Sequence, residues 1–235
     1  MDLLRDAELA AAFDHASGTY DHMTSTSPGY YAHLVRSARR LGLPGRGAGL
    51  SLLDLGCGTG TSTAALLQAA PLATVTGVDA SAGMLARARG KTWPERVSFV
   101  HAPVERMDEV EARGPYDAVF AAYLLRNVAD PDAVLRDVHR LLRPGGRLAV
   151  HEYSLSGRAT HRLLWAAVMK GFVRPWARLH GDAALYAHLH RSVLDFDTAD
   201  AFTDRLYRAG FAAVRRLPLP GWQTGITHTF VAARP

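Results

Sequence analysis

Short apolar runs bounded by turn-forming residues alternate along most of the chain with stretches whose apolar residues recur every three to four positions. The first pattern predicts strands and the second amphipathic helices. Residues 6–23 (DAELAAAFDHASGTYDHM) and 28–41 read as helices, followed by the turn-rich loop LPGRGAG. Strands are expected at 50–55, 73–79, 97–101, 116–122 and 147–153, interleaved with helices at 61–70, 81–89 and 131–142. Such strand–helix alternation specifies a mostly parallel sheet with helices on both faces. After the fifth strand comes a stretch with helical periodicity and the aromatics Trp165, Phe172, Trp176 and Tyr186. An insertion of that length in a compact domain is usually a lid or a substrate wall. A helix at 198–209 and two runs, FAAVRRLPL and ITHTFVAA, close the chain as an antiparallel pair at one sheet edge. The expected organisation is one domain over 1–235: N-terminal helices (1–48), a cofactor-binding core (49–154), a helical lid (155–197), and the final helix and strand pair (198–235).

Composition removes several function classes. At 235 residues the chain can bury a substantial core. Its formal charge of +5 comes mostly from arginines scattered among acids, with no long basic run, so nucleic acid is not an expected partner. No apolar stretch is long enough to span a membrane and the start MDLLRDAELAAAF is acidic, which points to the cytoplasm. Cys57, the single cysteine, excludes an internal disulfide and a Cys-rich zinc site. FVRPWARLH, basic and aromatic, is a candidate for peripheral membrane contact.

The strongest local signal is LDLGCGTGTST, a strand running into a glycine-rich turn and then a helix. Gly56, Gly58 and Gly60 allow a tight turn and close ligand approach, and the helix start offers free N–H groups. A dinucleotide fingerprint would place its third glycine where Thr61 stands. Asp79 ends the second strand, where a carboxylate can accept from both hydroxyls of a ribose; capping the next helix is the alternative.

LDLGCGTG, GVDASAGMLARAR, the YDAVF strand and LLRPGGRLAVHEYS together resemble a class I methyltransferase. The resemblance implies a Rossmann-like α/β fold, a seven-stranded sheet ordered 3-2-1-4-5-7-6 with a helical insertion after strand five, and S-adenosylmethionine as cofactor. It implies that Asp79 and Ala80 lie at the ribose, that the Gly56-Cys57-Gly58 to Gly60 backbone lies against the methionine part, that Asp54 orients its amino group, and that Met84 borders the adenine. Val104 and Ala121 complete the cofactor wall with Pro103, which has no side-chain acceptor for the adenine amino group. LLRNVADPDAVLRDVHRLLRPGG and TYDHM resemble, more narrowly, the UbiE-type enzymes that C-methylate menaquinone or ubiquinone precursors. The acceptor half departs from that family: Pro103-Val104-Glu105 stands for Asp/Asn-Ala-Glu, and Ser192-Val193-Leu194-Asp195-Phe196 replaces an Arg-x-His pair after a serine.

By that resemblance Arg126 and Asn127 are the catalytic candidates. Arginine stays protonated, so Arg126 would stabilise a phenolate rather than abstract a proton, unless it merely staples its loop. Glu152, Tyr153, His22 and His228 are candidates for proton handling. Tyr20 matches the family's opening tyrosine and would close over the cofactor or pack in the core. Trp165, Trp176, Phe172 and Met169 would line an apolar acceptor pocket or pack helices. His180, His188 and His190 are not expected to hold a metal, because His-Leu-His on a helix turns its rings to different faces. The reading is a methyltransferase for a small lipophilic ring-containing acceptor. A secondary-metabolite O- or C-methyltransferase and a non-catalytic cofactor-binding protein are the alternatives, and a homodimer is as open as a monomer.

Overall fold

The computed structural model describes residues 6–26, 29–109, 114–173 and 183–235, without the side chains of 6, 7, 19, 20, 22, 23, 25, 26, 108, 109 and 172. Tyr20 and His22 therefore lie outside the described side chains, as does Phe172, and Trp176 and His180 lie outside the described residues altogether.

Strands β1 (Ser51–Leu55), β2 (Thr74–Asp79), β3 (Val97–His101), β4 (Tyr116–Ala122), β5 (Leu142–Tyr153), β6 (Ala212–Pro218) and β7 (Thr227–Ala233) form one sheet in the order 3-2-1-4-5-7-6. All pairings are parallel except those of β7, which runs antiparallel to both β5 and β6. The inner strands are apolar on both sides because both sides are covered. Leu53, Leu55, Val119, Val150 and Phe230 pack on one face with α5 (Pro131–Leu141) and α8 (Ala199–Arg208). Leu52, Val75, Phe120 and Ala149 pack on the other with α2 (Tyr30–Arg39) and α3 (Thr61–Ala69). Helices α1 (Asp6–Thr26) and α4 (Ala82–Arg89) and the insertion helices α6 (Ala159–Val168) and α7 (Ala183–Asp195) complete the described chain.

The expected fold is therefore present, with one boundary moved. LRPGG carries turn-forming residues, so β5 reads as starting at Arg147. It starts at Leu142, which pairs with Tyr116 across an irregularity before Arg147 resumes opposite Ala118. The free ends of β1, β2 and β4 all point the same way, and the glycine loop, Asp79 and the Arg126 segment meet there.

Candidate active site

A cavity of about 1350 Å³ opens at those strand ends, bounded by the sheet, α1 and the insertion. Sites for one small ligand usually occupy roughly 300–1,000 Å³, so this one has room for two side by side.

Its cofactor end is built from β1, β2 and their turns. Gly56 and Gly58 line it with positive φ, the region open to glycine. Asp79 binds the loop directly: Oδ2 accepts from Gly58 N and Oδ1 from Ser81 N, both at 2.8 Å. Burial pushes its pKa up and these amides pull it back. A carboxylate has about four acceptor positions, so two remain after capping the turn, and the capping and ribose readings do not compete. Beneath the loop, Asp54 Oδ2 accepts from Ser62 Oγ at 2.8 Å and Thr63 Oγ1 at 2.6 Å. Oδ1 is buried with no hydrogen-bond partner among the described residues. Burial raises Asp54 to about 7. Ala80, Met84, Pro103 and Val104 also line the cavity.

Four of the expected cofactor residues do not reach the wall, Asp54 among them, which is buried beneath the glycine loop. Cys57 and Gly60 turn away as the loop enters α3, and burial pushes the Cys57 thiol well up. Ala121 packs in the core while its neighbour Ala122 takes the wall, because adjacent strand residues face opposite sides.

The acceptor end is built on the segment after β4. Arg126 pairs with Glu152 at 2.6 Å, both nearly inaccessible to water. Its guanidinium lies over the rings of Tyr123 and Tyr153, 5.5 and 5.6 Å from their centroids. The Tyr123 carbonyl accepts from Arg126 Nη1 at 2.8 Å and from Asn127 Nδ2 at 3.0 Å. Tyr123 has φ +57, a left-handed backbone costing about 1–3 kcal/mol for such a residue. Glu152, expected to handle protons, sits off the wall as the counter-ion of Arg126; burial raises its pKa and Arg126 opposes that. Tyr153, Trp165 and Met169 line the cavity, the last two also packing with Leu155 and Val193.

His228, expected to handle protons, does not line the cavity. The register puts it opposite Glu152, but its Nδ1 bonds the Ser154 carbonyl at 2.9 Å and its ring faces a separate recess with His161 and Arg216.

Two contributions escape sequence reasoning. Asp14 of α1 lines the cavity and accepts from Gly83 N at 2.8 Å and from Ser81 Oγ, while Asp21 pairs with Lys91 at 2.8 Å and binds Thr59. These acids strap α1 across the cofactor loop. From the insertion, His188 reaches Asn127 Oδ1 with Nε2 at 3.0 Å, and burial lowers its pKa to about 4. The only sequence cue was Asp21 inside TYDHM.

The family model of the ubiE/COQ5 methyltransferases matches residues 1–232. The chain belongs to that family. Among curated relatives of this methyltransferase, the demethylmenaquinone methyltransferase of Clavibacter sepedonicus is 33% identical over 212 residues, spanning 89% of this chain and 84% of the relative. That of Mycolicibacterium paratuberculosis is 32% identical, spanning 97% and 94%. Two solved structures share the fold of this ubiE/COQ5 member. A chain of the complex between the Haloferax volcanii Trm112 methyltransferase activator and the putative methyltransferase superposes with TM-score 0.69 at 16% identity, covering 97% of each chain. Human N-acetylserotonin methyltransferase, in complex with S-adenosylmethionine, superposes with TM-score 0.64 at 16% identity, covering 97% of this chain and 59% of that one. As a ubiE/COQ5 member the protein is an S-adenosylmethionine-dependent methyltransferase. No helix among its described residues is long and apolar enough to cross a membrane.

Proposed function

We propose that this enzyme methylates a ring carbon of a lipophilic hydroquinone-type acceptor from the cytoplasmic side of a membrane, as the names of its demethylmenaquinone methyltransferase relatives suggest. The observation that carries the reading is the single cavity in which a carboxylate-and-glycine cofactor end adjoins an arginine set among aromatic rings.

The cofactor supplies a methyl group already activated on a sulfonium. Asp79 holds the ribose hydroxyls, the Gly56–Gly58 backbone faces the methionine part, and Met84, Ala80, Pro103 and Val104 flank the adenosine. Asp54 Oδ1, buried without a partner among the described residues, suits the methionine ammonium. At the other end Arg126 faces the ring oxygen and stabilises it as a phenolate once the hydroxyl proton has passed to water, which raises electron density on the neighbouring carbon; that carbon takes the methyl group and gives up its own proton to water, and Asn127 orients Arg126. Alongside cavity-lining Trp165, Leu163 and Leu164 of α6 are exposed beside Arg162, which supports contact with a lipid surface.

Two measurements test this. Labelled S-adenosylmethionine is supplied with a demethylmenaquinol in vesicles and, separately, with an organic extract of cells. Label on the quinol ring carbon is the expected result. Label on a compound from the extract alone would replace the acceptor with a secondary metabolite, and no label with either would leave a cofactor-binding protein. Second, the ammonium beside Asp54 favours its ionised form, so cofactor binding at pH 6 releases close to one proton, and affinity rises as pH climbs toward about 7. Calorimetry in buffers of different ionisation enthalpy reads this directly; equal proton release from Asp54→Asn would remove Asp54 from the site.

A further inference from the structure

A column of hydrogen bonds crosses one face of the sheet between α2 and the catalytic segment. Arg40 Nη1 donates to Thr229 Oγ1 at 2.7 Å; Thr229 Oγ1 lies 2.6 Å from Ser37 Oγ, and Ser37 Oγ 2.7 Å from His151 Nδ1. His151 Nε2 lies 2.9 Å from Tyr123 Oη. The protons in this column run one way. Arginine only donates, so Thr229 receives from Arg40, and among the described residues the one acceptor bonded to the Thr229 hydroxyl is Ser37. Ser37 must then give its proton to His151 Nδ1, which leaves Nε2 as the protonated nitrogen donating to Tyr123. Burial, with His33, Arg40 and Arg126 nearby, lowers His151 to about 3, so the ring is neutral at working pH and this tautomer is the one it holds. The Tyr123 ring lies beside that of Tyr153 on the cavity wall, with centroids 4.7 Å apart.

The column ends on the residue whose backbone is strained. Tyr123 is fixed at its ring by His151, Tyr30 and Tyr153 and at its amide by the His151 carbonyl, 2.8 Å away. Its left-handed φ turns its carbonyl onto both Arg126 and Asn127. A bulky residue holds such a conformation only where its surroundings over-determine it.

We propose that His151, oriented by Ser37, Thr229 and Arg40, is a positioning residue that locks Tyr123 in its left-handed conformation and thereby aims the Arg126–Asn127 pair into the acceptor end of the cavity. The inference rests on the reading that Arg126 and Asn127 serve methyl transfer.

The test is a pair of deletions, His151→Leu and Ser37→Ala, each made in the wild type and in an Arg126→Met/Glu152→Gln background, with thermal melts on all. In the wild type each deletion lowers kcat roughly tenfold and leaves KM for S-adenosylmethionine within about twofold, because the cofactor end is untouched. In the background without the ion pair each deletion costs clearly less, because only Asn127 remains to be aimed. Ser37→Ala changes little volume and keeps the test open if His151→Leu fails to fold. An equal loss in both backgrounds, or no loss in the wild type, would overturn the inference. A wild type inactive toward every acceptor overturns instead the functional reading beneath it.

Discussion

Arg126→Ala abolishes most methyl transfer while leaving cofactor affinity nearly intact. The guanidinium, held in place by Glu152 and the Tyr123 carbonyl, is a preorganised donor against the acceptor oxygen, and removing one such group typically costs about 10²–10³ in kcat. The variant is also less stable, because Glu152 is fully buried and loses its counter-ion. Breaking a buried pair from one side costs about 3–5 kcal/mol. Burial already raises Glu152, and without Arg126 nothing comparable opposes it. The folded variant then keeps a proton that the unfolded chain releases above about pH 4.3. Its stability deficit is smallest in acid and widens as pH rises through that range. Arg126→Met with Glu152→Gln removes both charges together. That double variant melts near the wild type yet transfers as slowly as Arg126→Ala, which separates chemistry from stability. If Arg126→Ala retains more than a tenth of wild-type kcat, Arg126 is only a staple.

Asp79→Asn weakens S-adenosylmethionine binding by about 10²–10³-fold. The carboxylate takes two backbone amides and retains two acceptor positions for the ribose. An amide of the same shape must put its NH₂ where one of the two oxygens stands, so one donor always meets the Gly58 or Ser81 amide. Two charge-assisted hydrogen bonds at about 1.5–3 kcal/mol each set the scale, and only part of each is lost. Calorimetric titration checks it. A change under fivefold would make Asp79 a cap for the turn and nothing more.

The chemistry was legible where neighbouring residues carry it. Strands read true because each inner run is apolar on both faces, and the glycine loop read true because strand, turn and helix follow within a dozen residues. β5 was misjudged at its start because Pro144 and two glycines look like an interruption, although Leu142 already pairs with Tyr116. Ala121 yields the wall to its neighbour Ala122, since one step along a strand reverses a side chain, whereas Cys57 lies in the loop after β1 with its side chain buried. Glu152 and His228 both read as acid–base candidates; which partner each finds depends on packing between distant segments. The same limit hid the column, whose Ser37 and His151 lie 114 positions apart. Tyr123 gave no warning either, since a left-handed φ in a tyrosine has no sequence signature.

The wall that α1 and the insertion place over the cavity differs in kind from the sheet below. Leu9, Ala16 and Leu185, with Ala12 and Phe13, join α1 to α7 in a small apolar cluster separate from the two that flank the strands. So small a cluster opens at a lower free energy than the sheet, and its amides exchange with solvent through a local opening that leaves β1, β4 and β5 protected. Ligand exchange can then proceed by partial opening, without global unfolding. Occupancy of the cavity should slow exchange on α1 and α7 alone, and the rate of turnover and the melting temperature become quantities that evolution can adjust independently.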